Sequence, residues 1–532
     1  MSIRFVLPQP GGAAPAFTTA KACEEWVEAL PLTNAASAQG ALRAQVDAVT
    51  RASLPLPVLF DILEKLREPL AFVQLEMARK FTQRPLPMAD LEYNAWTGTT
   101  ALWRAYGLGY QMCVQGLIDG ARDIKAAVAC HRALDAQMRV MFDYVRANCQ
   151  LPGTEWAMLH MLFRAAESQE VLAEKVKDPI QKETPATTCV AAYTQALLTS
   201  VGASGEWSGK QLQMIMRWLE RWAAKISASH APPASPVKPP LMVDLGSLRG
   251  GFRGEAGGEV RYLDISEIAL SLKNRVILLR KGESPAHLGL GEDCTQPGCE
   301  QLLINLYQHW CDGRVNRDHA RRAGAGSVMI AATLPAAHYY VSGKPFKQPG
   351  VAKELTSKQR AEIATFGRIA TRDEDDYSHL QGYSMEQWDL KDESLSGMRI
   401  SRSREASSAR VSPGQLFAVR APDAKAFMLT AVRWVQMLES GDVMAGLRTI
   451  PGAPQAVGVR NTGLNATNEK YQQAFMMPAV ESLKSPDSVI LPPGTFKPGK
   501  VMEVFAESAW KIKLVEIIER GPDFERCSYG GA

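Results

Sequence analysis

Fourteen residues near the middle of the chain, Ser227–Pro240 (SASHAPPASPVKPP), carry five prolines among Ser and Ala. Each proline lacks an N–H and fixes its own φ, so no regular helix runs through this stretch and the chain on either side has to fold separately. The hydrophobic period changes across it. From about residue 18 to 229, apolar residues recur at three and four, as in Leu59-Phe60-Ile62-Leu63-Leu66, Ile124-Ala127-Val128-Leu134-Met138-Met141-Val145 and Leu212-Ile215-Met216-Leu219-Trp222. That spacing predicts helices separated by short Pro, Gly or Asn breaks. Trp96, Trp103, Trp156, Trp218 and Trp222 fall on the same spacing and are expected in its core. Beyond the prolines, strand-type runs predominate: Leu241–Leu245, Val260–Leu263, Ser327–Thr333, His338–Val341, Gly397–Ser401, Leu416–Arg420, Phe427–Val435, Ser488–Leu491 and Trp510–Val515. Three helical stretches, Ser266–Arg280, Cys299–Trp310 and Lys353–Arg368, interrupt them.

With 532 residues, 46% of them hydrophobic and 22% charged, the chain has material for several packed cores. Sixty Lys and Arg against 56 Asp and Glu leave a formal charge of +4, so the whole-chain field attracts no polyanion and any anion site has to be local. The start, MSIRFVLPQPGGAAPA, has one Arg and too short an apolar run before Pro8 and Pro10 for a secretion signal, and a cytoplasmic protein is expected. Nine cysteines, five of them in helical segments of the first half, argue against a disulfide framework. The most apolar uncharged run, Ala323–Gly343, is broken by three glycines, Pro335 and His338 and reads as two strands around a turn, so no membrane span is expected.

Two motifs fail on detail. Gly494-Thr-Phe-Lys-Pro-Gly499-Lys500 has the Gly-x4-Gly-Lys core of a phosphate loop, but Val501 replaces the Mg²⁺-binding hydroxyl and Pro498 removes an N–H donor. A β-hairpin loop is expected there. Cys294, Cys299, His309 and Cys311 offer four zinc ligands at spacings foreign to structural zinc sites, so no metal is expected. The eight histidines and the serines form no nucleophile motif, and nothing motivates an enzyme.

A third constellation is more specific. Arg314, Arg317, Arg321 and Arg322 fall within nine residues just ahead of the strand Ser327–Thr333, and Asp392-Glu-Ser394-Leu-Ser-Gly397 leads into the strand Gly397–Ser401. Arg317-x3-Arg321 followed by Asp-x-Ser-x2-Gly resembles the bipartite signature of PilZ domains, over roughly Arg314–Pro451. The resemblance implies a small β-barrel and, as ligand, the bacterial second messenger cyclic di-GMP. The residue types suit that ligand. Arginine's fork of donors binds phosphate bidentately or reads guanine O6 and N7, a carboxylate accepts from the guanine N–H edge, and glycine permits a tight turn. By resemblance, Arg317 and Arg321, with Arg322 beside them, hold phosphate and base, Asp392 and Ser394 read guanine, and Gly397 makes the turn.

Seventy residues separate Arg321 from Asp392, so an insertion at about 344–388 has to loop out. It carries a competing pair, Arg368-x3-Arg372, which is less favoured because Arg368 ends a predicted helix and Arg372 runs into Asp373-Glu-Asp-Asp376. Positions 317 and 321 are also i,i+4 neighbours, as on a solvated helix face. A second Asp-x-Ser, at Asp264 and Ser266, is followed by Glu267 and reads as a helix cap. The expected fold is thus multidomain α + β: an all-α domain at 1–230, a Pro-rich linker at 231–240, a mixed α/β segment at 241–313, a PilZ-like β-barrel with helical insertions at 314–454, and a C-terminal β module at 455–532, read as a second, motif-less barrel. The function that follows is a non-enzymatic receptor without a cofactor, acting on a protein partner through the helical domain. The rival is a helical scaffold whose barrel binds nothing. Nucleic-acid binding through the Arg cluster with Arg399, Arg402, Arg404 and Arg410 is disfavoured by the near-neutral charge and the lack of a stacking platform.

Overall fold

The computed structural model describes residues 3–532 except 202–204, 235, 237, 252–257, 313–319, 350–364, 366–382, 406–408 and 463–468. It divides into two compact units, Met1–Arg84 with Met88–Asn316, and Pro85–Pro87 with Arg317–Ala532.

The first unit holds α1 (Ala20–Glu28), α2 (Ala35–Arg51), α3 (Leu56–Ala78), α4 (Asp90–Ile118), α5 (Ala126–Arg146), α6 (Gly153–Ser168), α7 (Cys189–Val201) and α8 (Gly209–Trp222). A small sheet in the order β1 (Ser227–Ser229), β3 (Val260–Asp264), β2 (Leu241–Asp244) follows, then α9 (Ser266–Arg280) and α10 (Gly298–Tyr307). All five tryptophans expected in the core are buried, Trp218 completely. Helix α8 starts where a capping box predicts: Ser208 Oγ accepts from Gln211 N, and Gln211 Oε1 accepts from Ser208 N.

Helix α5 is buried on nearly every side, so its polar residues need internal partners. Asp135 accepts from Arg67 of α3 and from Arg139, both at 2.8 Å. Arg67 also forks onto Asp178 of the long 169–188 connection, at 2.8 and 2.5 Å. Arg132 donates to Glu64 at 3.0 Å, to the Lys177 carbonyl at 3.0 Å and to His131 Nδ1 at 3.1 Å. Burial pushes the His131 imidazole down to about 4, which leaves Nδ1 free to accept.

Three features differ from the sequence reading. The Pro-rich stretch taken as an interdomain linker joins β1 to β2 of one sheet, and residues 241–312 pack within the first unit. Trp218 donates to the Leu290 carbonyl at 3.0 Å, and Trp310 to that of Leu198 at 2.9 Å. Proline marks where strand pairing stops, which is not always where a domain ends. Cys294 and Cys299 form a disulfide, so neither is left as a zinc thiolate; the other seven cysteines are buried and outside that bond. Among the described residues no helix is long and apolar enough to cross a membrane.

The second unit holds two closed barrels. Strands β4 (Arg322–Ala323), β5 (Ser327–Ala331), β6 (Glu386–Ser394), β7 (Gly397–Arg402), β8 (Leu416–Arg420), β9 (Met428–Met437) and β10 (Val443–Thr449) run in the order β4-β6-β5-β8-β9-β10-β7, and pairing of β6 with β7 closes the sheet. Every pairing is antiparallel; buried Val328, Trp388 and Leu390 alternate with exposed or half-buried neighbours on β5 and β6, whereas Leu416–Val419 of β8 is buried throughout. The second barrel runs β11 (Gln455–Asn461), β12 (Gln472–Met477), β13 (Ser488–Leu491), β16 (Glu525–Gly531), β15 (Ala509–Arg520), β14 (Val501–Phe505), and β14 returns to β11. Val459, Val489, Val504, Leu514 and Cys527 contribute to its core.

Between β5 and the insertion, the expected strand His338–Val341 is instead helix α11 (Leu334–Ser342). Its punctuation stands in the sequence: Thr333 caps the start, Pro335 sits in the first turn, and Gly343 ends it at φ 69°. The aromatic and β-branched content of Tyr339-Tyr340-Val341 reads as strand only when these caps are overlooked. Leu334, Ala336 and Ala337 of α11 share one core with Leu416, Ala418 and Leu429 of the first barrel and with Phe475, Met477, Ile490 and Phe524 of the second.

Candidate ligand-binding site

The Asp-x-Ser-x2-Gly motif forms the tip of the β6–β7 hairpin. Leu395 and Ser396 make a two-residue turn, with Ser394 opposite Gly397 and Asp392 opposite Arg399. Register shifts between Leu390 and Asp392, so Lys391 is a bulge that re-aims the carboxylate. Ser394 Oγ donates to the Gly397 carbonyl at 3.2 Å. Gly397 is required by space: a Cβ there would stand 2.1 Å from the Leu447 carbonyl oxygen on β10.

The two halves of the signature meet. Strand β4 pairs with β6, Arg322 opposite Glu393 and Ala323 opposite Asp392, which sets Arg321 beside the hairpin. Arg321 Nη1 donates to Asp392 Oδ1 at 2.5 Å, and Arg399 Nη2 donates to Oδ2 at 2.6 Å. Asp392 is largely buried beneath them, while the side chains of Arg321 and Arg399 keep 32% and 43% of their surface exposed. Arg322 Nε reaches Glu393 at 2.8 Å and is almost fully exposed. Arg317, Arg314, the rival pair Arg368/Arg372 and most of the helix expected over Lys353–Arg368 lie outside the described residues.

Three residues of this surface were not singled out for the ligand. Arg399 lies opposite Gly446 of β10, and Gly446 opposite Trp434 of β9. Directly opposed residues point to the same side, so Asp392, Arg399, Gly446 and Trp434 form one row across four strands. Arg399 is partly exposed between buried Met398 and Ile400, so the row lies on the outer face of the barrel. The Trp434 ring covers Gly446, where an added Cβ would meet Nε1 at 2.2 Å. The surface thus offers guanidinium donors, a carboxylate and an indole side by side. Register assembles this row, and no one strand displays it.

The phosphate-loop match serves structure. It connects β13 to β14, which are not neighbours in the barrel, so it is a crossover and not the expected hairpin. Its backbone donors wrap a protein carboxylate: Phe496 N donates to Glu525 Oε2 at 2.8 Å. Burial alone would raise the Glu525 carboxyl, but the N–H groups of Phe496 and Gly494, with Arg520, hold it below the usual range. Lys500 Nζ is turned to the Thr495 carbonyl at 2.9 Å.

Residues 21–233 match the family model described as the N-terminal domain of the cyclic-di-GMP receptor FimW, and residues 457–531 match that of the FimW C-terminal β-barrel domain. The chain is also 21% identical over 545 aligned positions to the cyclic-di-GMP receptor FimW of Pseudomonas aeruginosa, an alignment covering 95% of this chain and 89% of that protein. The matched domains are those of FimW, not PilZ domains as such, and the hairpin site lies between them in sequence. The chain is thus similar to FimW over two segments, residues 21–233 to its N-terminal domain and residues 457–531 to its C-terminal β-barrel domain, in the same order.

Proposed function

We propose that the protein is a non-enzymatic receptor for cyclic di-GMP, acting in the cytoplasm. The ligand binds on the outer face of the first barrel through a PilZ-like set of Arg317, Arg321, Arg322, Asp392, Ser394 and Gly397, joined by Arg399 and Trp434. The observation that carries this reading is the carboxylate of Asp392 held between Arg321 and Arg399 at the hairpin tip. Each guanidinium gives Asp392 one nitrogen, and its other nitrogens can donate to phosphate oxygens or to guanine O6 and N7. The Trp434 indole supplies a face on which a purine stacks. The name of the Pseudomonas aeruginosa relative supports the same ligand. Binding would order the arginine segment around the nucleotide and pass the change to a protein partner of the helical unit.

A second reading has an observation of its own. Asp392 is already paired on both oxygens, and Ser394 bonds its own hairpin, so the motif is also self-sufficient as a structural clasp. In that case the helical unit is a scaffold and the barrel binds nothing. Isothermal titration separates the two. Cyclic di-GMP titrated into wild type gives saturable heat, and Arg317→Ala/Arg321→Ala weakens it by at least about tenfold. Absence of heat with wild type establishes the scaffold reading. Full affinity in that double variant, with loss in Arg368→Ala/Arg372→Ala, moves the site to the second pair.

A further inference from the structure

Gly446 is buried although it stands in the outer-face row of Arg399 and Trp434, and its neighbour across the strands accounts for that. Half-buried Trp434 lies directly opposite on β9. A Cβ added at Gly446 would stand 2.2, 2.4 and 2.9 Å from indole Nε1, Cε2 and Cδ1, and these are the three atoms nearest to it. The ring therefore rests on the backbone of β10 instead of standing out from the sheet. Glycine alone leaves room for it, at the cost of a weaker strand interior.

Register sets this pose from both sides. Along β10 the partners on β9 step from Trp434, opposite Gly446, to Val432, opposite Leu447, so Arg433 is an extra residue in β9. Such a bulge increases the local twist and re-aims the side chains beside it, here turning Trp434 into the row. On the other flank of β10, Arg399 of β7 lies opposite the same glycine. Neighbouring strands are about 4.8 Å apart, which separates the backbones of Arg399 and Trp434 by roughly 10 Å. A side chain at 446 would stand in that interval. With none there, the indole extends across it toward Arg399.

We infer that Gly446 is a positioning residue for the nucleotide: it lays the Trp434 indole on β10 beside Arg399, so that one guanine stacks on the ring with its O6 and N7 edge toward the guanidinium. A base held by face and edge together is fixed in orientation, whereas a ring standing away from the sheet would offer a face with no donor at its edge. This inference rests on the reading of the outer face as the nucleotide site. What an alanine at 446 meets is a side chain that can rotate, unlike the backbone carbonyl beside Gly397. Gly446→Ala is therefore expected to displace the ring and leave the barrel folded.

The test is a double-mutant cycle on the full chain, with Gly446→Ala and Trp434→Ala made singly and together and read by isothermal titration with cyclic di-GMP. The worth of stacking one base on an aromatic ring sets the expected loss for either single variant at about 5- to 150-fold, with unchanged circular dichroism. In the Trp434→Ala background, Gly446→Ala is expected to change affinity by less than about twofold, because a purely structural need for the glycine would not vanish with the ring. Full affinity in Gly446→Ala, losses that multiply in the double variant, or an unfolded Gly446→Ala each overturn the inference. A second readout needs no ligand. Gly446→Ala is expected to shift tryptophan emission to the red, and the same change made in Trp434→Phe to leave emission where it was; an unshifted spectrum overturns the pose. Wild type without heat rejects the nucleotide reading and this inference with it, whereas heat in wild type with full affinity in Gly446→Ala rejects the inference alone.

Discussion

Gly397 is the residue of the hairpin motif whose role follows from geometry alone. Its backbone runs so close to β10 that an alanine Cβ would stand 2.1 Å from the Leu447 oxygen, roughly 1.3 Å short of ordinary contact. The obstacle is a backbone carbonyl in the strand pairing, not a side chain that can swing aside. Relief requires β7 and β10 to separate where Gly397 opposes Arg448, or the hairpin tip to rotate. Overpacking of this kind costs about 1–3 kcal/mol. For a unit of roughly 200 residues, each kcal/mol lowers Tm by about 2–4 °C, so Gly397→Ala is expected to lose roughly 2–12 °C. Differential scanning calorimetry gives the shift, and hydrogen–deuterium exchange localises it to β7 and β10. Gly397→Ala with wild-type Tm and wild-type exchange would refute the steric argument. If such a variant still lost cyclic di-GMP binding, the glycine would be there for the ligand and not for the fold.

Other outcomes follow from the buried charges. Arg67→Met removes the cation shared by Asp135 and Asp178, and since Arg139 and Arg132 remain to serve them, a loss near the lower end of the usual range, about 3 kcal/mol, is expected in urea unfolding; wild-type stability would show that the network is dispensable. Burial pushes the Asp523 carboxyl up to about 6, against the pull of its hydrogen bonds from Leu416 N and its own backbone. Its folded value thus lies above the unfolded value of about 3.9. The stability it contributes is complete below about pH 4 and lost as pH rises through 6. Relative to Asp523→Asn, wild type should weaken across that window and then level off; a flat difference from pH 4 to 7 would contradict it.

Period and punctuation were enough to read much of the architecture. The three-and-four spacing located the helices of the first unit, and strand-type runs located β7, β8, β9, β13 and β15. Two failures have one physical origin. Composition reports local preference, so the prolines at 232–240 signalled the end of pairing but not that β1 and β2 share a sheet. Tyr339-Tyr340-Val341 signalled strand although Thr333 and Gly343 cap a helix. At the site, the link between the arginine cluster and the Asp392 hairpin was legible as a motif, and the structure joins Arg321 to Asp392. Arg399 was weighed only for nucleic acid, and Gly446 and Trp434 were not assigned to the ligand, because cross-strand register brings the three together over nearly fifty residues of sequence. The Cys294–Cys299 bond escaped for a similar reason, since a count of thiols carries no information on proximity.

A nucleotide held on the outer face of the first barrel would shield the backbone beneath it. Hydrogen–deuterium exchange of the full chain with and without saturating cyclic di-GMP tests it most directly. Slowed exchange is expected in peptides spanning 317–323, the 389–402 hairpin and the 434–446 strands, abolished by Arg321→Ala. Unchanged exchange in all three regions, or protection confined to other parts of the chain, would contradict it.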